Sequence, residues 1–262
     1  MKASKIIPPL IFFVFIMLIW QVVSARNAIA FWIVPSPMEV LKVFIYSPRL
    51  ILHHLQPTLF AALTGLLLSI ILGSITAIAM HSYSLVKQVL YPYLVISQTI
   101  PIIAIAPLLI IWFGYGISSK VFAVVLMCFF PISLGLYDGF RSVSIDQVRL
   151  LKSMGATKYK TFTLLYIPAS LPNFFTGLKL AATYSVMGAV IGEWLGGSAG
   201  LGIYMTRATK AYQTAHVFAV IAVIILLSMS LFAIVALIDR WLLRWKYIRE
   251  DEYLEVNFQE RN

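Results

Sequence analysis

Little in this chain can do chemistry. It holds one cysteine, Cys128, so no disulfide can form within it and a metal site built on several thiolates is excluded. Charged residues make up 11% of its 262 positions, and only 10 are acidic against 20 Lys and Arg. There are four histidines, and the one adjacent pair, His53 and His54, points to different sides of a helix and makes a poor metal pair. No G-x-x-x-x-G-K-[ST] phosphate loop occurs, so the chain does not bind and hydrolyse ATP by that route, and H-E-x-x-H is absent too. Gly196-Gly197-Ser198-Ala199-Gly200 fits the G-x-S-x-G pattern of a hydrolase nucleophile. That nucleophile needs a strand-turn-helix setting with a His and an acid brought to it, and nothing in this sequence suggests one. The chain reads as no enzyme, with no cofactor and no metal.

What the chain has is apolar sequence. At 61% hydrophobic, with a mean hydropathy of +0.91, it far exceeds the roughly 45 to 50% of a soluble domain. The expectation is an all-α integral membrane protein, a single transmembrane domain of about six spans at 6–23, 57–80, 89–113, 121–137, 173–195 and 217–238. The first follows Lys2 and Lys5 and is too long for the apolar region of a signal peptide, so it reads as a retained helix. Residues 26–56 are mixed, with a short interfacial helix expected over Met38 to Tyr46. The second span carries Gly65, Ser69 and Gly73 four apart, a smooth stripe against which another helix can pack. Pro92, Pro101 and Pro107 should kink the third, either beside a pathway or for packing alone.

The fifth span carries a second seam, Gly177, Ala181, Ser185 and Ala189, expected to line a pathway or a subunit interface, with Lys179 placed to reach the cytoplasmic headgroups. Glu193, near its far end, should lie at the outer mouth, facing water, a substrate or a partner, or simply solvated at a helix end. The mid-spans are uncharged, which argues against coupling to an ion.

Charge sets the orientation. Thirteen of the 20 Lys and Arg fall before residue 6 and in 81–88, 138–172 and 239–262, and six fall on the alternate segments. By the positive-inside rule the first set is cytoplasmic, with both termini inside, and the net charge of +10 reflects topology rather than affinity for nucleic acid.

The longest hydrophilic interruption, residues 142–172, is therefore cytoplasmic. Ser142 or Ser144 can cap a short helix in which Ile145, Val148, Leu151 and Met154 recur every three residues, and Gly155 stops it. Such an element is either a solvated loop or a helix that docks into a groove on another protein.

Lys152-Ser153-Met154-Gly155-Ala156-Thr157, with Leu165-Tyr166-Ile167-Pro168 after it, resembles the cytoplasmic loop of the permease subunits of bacterial ABC importers. Pro35-Ser36-Pro37, Ile100-Pro101 through Ala106-Pro107, Trp112-Phe113-Gly114 with Ser119-Lys120, and Gly192-Glu193-Trp194 with Gly200-Leu201-Gly202 resemble its branch for nitrate, sulfonates, taurine and thiamine-pyrimidine precursors. The resemblance implies an inner-membrane subunit of an ATP-driven importer of a small solute, working as a pair, with cytoplasmic ATPases and an external solute-binding protein. It implies that Val148, Arg149, Leu150, Leu151, Lys152, Met154, Gly155, Ala156 and Thr157 couple the chain to its ATPase. Where the family has Glu-Ala-Ala this chain has Arg149-Leu150-Leu151, so the family's acidic contact does not carry over. An ATP-independent carrier or channel is the alternative.

Overall fold

The computed structural model describes residues 7–25 and 33–245. Lys2, Lys5, Arg26 and the tail from Lys246 lie outside the described residues. Everything described is helix or connection, with no strand. Helix α1 is Ile7–Ala25 and α2 is Pro37–Tyr46. Ser36 and Glu39 form a capping box at the start of α2, and Pro37 opens it where no N–H is needed. Helix α3, Pro48–Ser82, has 35 residues, about 52 Å at 1.5 Å per residue, so it outruns the roughly 30 Å apolar core of a bilayer. The expected span 57–80 lies within it.

The third expected span, 89–113, is two helices, α4 (Ser84–Thr99) and α5 (Ile102–Phe113), bent by 105°. Of its three prolines only Pro101 breaks the rod. It has no N–H for the last turn of α4, and it pushes Ile100 into an extended conformation at φ −86°, ψ 119°. Pro92 and Pro107 stay inside their helices. Helix α6, Ile117–Arg141, is longer than the expected 121–137.

After the hydrophilic loop come α7 (Ile145–Ser153) and α8 (Lys158–Thr161). From α8 the chain runs through a π-turn, Phe162–Tyr166, into α9, Ile167–Gly196, so Pro168 and Pro172 do not interrupt it. Pro168 has no N–H for a regular turn, and the Ile167 N–H instead reaches the Phe162 carbonyl, five residues back. Helix α10 is Leu201–Lys210, and α11 is Thr214–Leu242, taking in Asp239 and Arg240 that the sequence suggested for the tail.

Helices α6 and α9 form the central pair, with α3 and α11 against them. Val124, Cys128 and Ile132 meet Phe175, Ala182 and Val186 across it, beside Ala62 and Leu66 of α3 and Leu231 and Val235 of α11. Close approach explains the small residues. A Cβ on Gly177 would sit 2.2 Å from the Pro131 carbonyl oxygen, and one on Gly65 would sit 2.5 Å from Val124. A second cluster joins α2 and α10 to α11 at one end of the bundle. A third joins Met80, Leu94, Tyr137 and Phe140 at the end that carries α7.

Candidate functional site

The hydrophilic loop is held by local chemistry. Ser144, rather than Ser142, caps α7: its hydroxyl accepts from the Gln147 N–H at 3.3 Å, and the Gln147 side chain accepts from the Ser144 N–H at 3.1 Å. The Ser142 hydroxyl instead turns back to the Gly139 carbonyl. Gly155 stops the helix at φ +78°, a left-handed conformation that glycine takes without strain. The N–H groups of Gly155 and Ala156 return to the carbonyls of Lys152 and Leu151, each at 3.0 Å. The Thr157 hydroxyl then caps α8.

No residue of α7 is buried. Val148 and Leu151 are half-buried, whereas Ile145, Leu150 and Met154 are 70%, 62% and 74% exposed. The apolar stripe is thus turned largely outward, with Leu150 joining it. Arg149 and Asp146 form an exposed pair at 3.4 Å, and Lys152 and Thr157 are exposed beside it, with Ala156 half-buried.

At the opposite end of the bundle lies a buried polar knot, and here two expectations are corrected. Glu193 is no solvated carboxylate: its exposure is 0%. The Thr58 hydroxyl donates to one of its oxygens at 2.8 Å, the Gly202 N–H donates to the other at 2.8 Å, and the Lys120 ammonium lies 3.9 Å away. Lys120 also donates to the Ala199 carbonyl at 2.8 Å. Helix α10 begins at Gly200, which has no side chain to cap it. Its first N–H groups are met from elsewhere: Gly200 donates to His54 Nδ1 at 3.1 Å, Leu201 to the Thr58 oxygen at 2.9 Å, and Gly202 to Glu193. Gly200 sits at φ +138°, and a Cβ there would collide with the Glu193 carboxylate at 2.1 Å. The His54 ring stacks on Tyr204, whose hydroxyl is hydrogen-bonded to His216. Ser198 lies in the connection before α10, with no strand before it.

The second correction concerns the seam of α9. Gly177 packs on Pro131, and Ala181, Ser185 and Ala189 are all 0% exposed. The Cys128 thiol donates to the Ala181 carbonyl at 3.2 Å. Within this chain the seam is packed between α9 and α6 rather than left on an open face, because residues this small let two backbones close on each other. Lys179 likewise does not reach for headgroups: it forms an ion pair with buried Asp239 of α11. Sequence reasoning passed over Thr58, His54 and Lys120 as members of the knot. The one signal was Lys120 itself, a cation at the start of an apolar span that needs a counter-charge.

The family profile described as "Binding-protein-dependent transport system inner membrane component" matches residues 69–244. The formylaminopyrimidine transport permease protein of Halalkalibacterium halodurans is 41% identical over 246 residues, 94% of this chain and 98% of that protein. The riboflavin transport system permease protein of Chloroflexus aurantiacus is 31% identical over 233 residues, 88% of this chain and 87% of that protein. Among solved structures, a methionine ABC transporter in inward-facing conformations shares the fold with a TM-score of 0.58 at 16% identity, over 73% of this chain and 94% of that one. An apolar helical bundle with a capped polar helix on one end, together with these likenesses, places the chain in the family of binding-protein-dependent transport system inner membrane components, the permease subunits of ABC importers.

Proposed function

We propose that this permease brings a small solute across the bacterial inner membrane as one of a pair of like subunits, with both termini and α7 on the cytoplasmic side. Nucleotide hydrolysis belongs to cytoplasmic ATPase partners, and delivery to an external binding protein. The observation that carries the coupling role is α7: a helix capped at both ends, with no buried residue and with Ile145, Leu150 and Met154 held out to solvent. Such a face awaits a groove. Residues 148–152 and 154–157 are the contact proposed for the ATPase.

Transmission follows from the chain's continuity. Thr157 leads into α8, the π-turn and α9, an almost unbroken rod that ends beside Glu193. Closure of the ATPases would pull α7, rock α9 with α6 as one packed unit, and open the pathway outward; hydrolysis would reset it. Sulfonates, taurine and pyrimidine precursors of thiamine are the candidate cargo, the last supported by the Halalkalibacterium relative.

The test is co-purification from membranes in mild detergent. Met154→Asp puts a charge in the apolar face, and Gly155→Pro cannot take φ +78°, since proline is held near −65°. Each should cut transport and the recovered ATPase at least tenfold while the permease stays in the membrane. An ATPase that still comes along with both variants would remove α7 from the interface.

A further inference from the structure

Grooves beside the break between α4 and α5 are lined by polar side chains that have no hydrogen-bond partner among the described residues. Gln98 lies about 21 Å along α4 from Ser84 at its cytoplasmic end, well within a hydrocarbon core about 30 Å thick. Its side chain is exposed and makes no hydrogen bond among the described residues, and the same lack of a partner holds for the Tyr184 hydroxyl and the Ser228 hydroxyl. An amide or hydroxyl turned to lipid with nothing to bond is costly.

These three groups line two adjoining grooves. A groove of about 950 Å³ between the start of α5, α9 and α11 contains Tyr184 and Ser228, and a second of about 320 Å³ contains Gln98. The two meet at Pro101, Ile102 and Tyr184. The remaining lining is apolar save for Ser97 and Thr183, whose hydroxyls bond to their own helices, and it includes Trp194 and Phe232. No Lys, Arg, His, Asp or Glu lines either groove.

We infer that Gln98, Tyr184 and Ser228 form a solute-contacting station at the α4–α5 break, and that it takes an uncharged, flat, hydrogen-bonding heterocycle rather than a sulfonate or another anion. The amide and the two hydroxyls each both donate and accept, matching ring nitrogens, amino groups and carbonyls. Aromatic walls suit a ring face. A sulfonate would enter this groove with no cation to meet it and would lose its hydration uncompensated. The inference rests on the importer reading and names the cargo class for it.

The experiment uses the whole complex, permease with its ATPase and binding protein, in proteoliposomes, with labelled formylaminopyrimidine and labelled taurine as probes. Import of the pyrimidine and not of taurine is expected. Gln98→Leu and Tyr184→Phe should each lower that import tenfold or more at native membrane level and native ATPase recovery, and Gln98→Asn should restore part of it. In a Cys128→Ala background, a cysteine placed by Ile102→Cys, where the two grooves meet, should be alkylated at least threefold more slowly with saturating pyrimidine present, and at an unchanged rate with taurine. Taurine import, or full pyrimidine import by Gln98→Leu and Tyr184→Phe together, would overturn the station. So would a shift of Gln98→Leu from dimer to monomer in detergent, which would give the groove to a second copy. If no ATPase accompanies the native chain, the importer reading falls before any solute is added, and the station falls with it.

Discussion

At the residue scale, Glu193 does the most with the least exposure. It stands 135 positions from Thr58, yet its two oxygens hold α3 and the first turn of α10, and its charge faces Lys120 of α6. Removing one member of a buried ion pair leaves the other uncompensated, which typically costs about 3 to 5 kcal/mol. Glu193→Ala should therefore lose about that much, since it leaves the Lys120 ammonium without its counter-charge and the Gly202 N–H without its acceptor, while the Thr58 hydroxyl keeps the His54 carbonyl at 3.2 Å. Thr58→Val should lose less, about 1 to 3 kcal/mol, because Glu193 keeps its backbone donor and its cation. Unfolding of the purified variants in detergent ranks the two, and the reverse order would mean that the hydroxyl rather than the carboxylate holds the knot. In the sequence Glu193 could face water, a substrate or a partner, or be solvated at a helix end; its burial depends on the 197–200 connection and the first turn of α10 folding back over it.

At the element scale, the two small-residue stripes have one partner. Gly65, Ser69 and Gly73 of α3 and Gly177, Ala181, Ser185 and Ala189 of α9 all turn toward α6 or the core around it. Their spacing was legible in the sequence, and their destination was not, because a smooth face fits any helix that can approach it. Gly177→Ala must move the Pro131 carbonyl, which a Cβ would meet at 2.2 Å. Overpacking of this kind costs about 1 to 3 kcal/mol. Leu180→Ala, on the 46% exposed side of the same helix, should cost far less. Titration with a denaturing detergent compares them, and equal losses would place the tight contact elsewhere. Helix α7 is the reverse case: Ser144, Gln147 and Gly155 specify it within its own dozen residues, so its start and stop could be read without the fold.

At the scale of the whole molecule, the bundle has two unlike ends. One carries α7 with Arg149 and Lys152 exposed, and the other carries the Glu193 knot with Arg207 and Lys210 exposed on α10. Cys128 is the chain's one cysteine, so a Cys128→Ala background makes single labels unambiguous. In intact cells, Lys210→Cys should react with a membrane-impermeant thiol reagent and Lys152→Cys should not, the order inverting in inside-out vesicles. Both reacting from the same side would refute the proposed orientation. The six spans also emerge at this scale, since the third is counted only if the bent α4–α5 pair is taken as one crossing.

Hydropathy runs, the bias of Lys and Arg, and the cap and stop residues of α7 act over neighbouring positions. The sequence by itself therefore determined an all-helical membrane protein, the place of its exposed helix and its likeness to importer permeases. The tertiary structure alone decided that Glu193 is buried, that Lys179 meets Asp239, that the seam of α9 closes on α6, and that Pro101 turns the chain by 105° where Pro92 and Pro107 do not. The first three of these outcomes depend on groups brought together from distant parts of the chain, as with the 79 positions between Lys120 and Ala199 and the 135 between Thr58 and Glu193. A buried polar group settles where its partners are, and only the packed bundle brings those partners within reach.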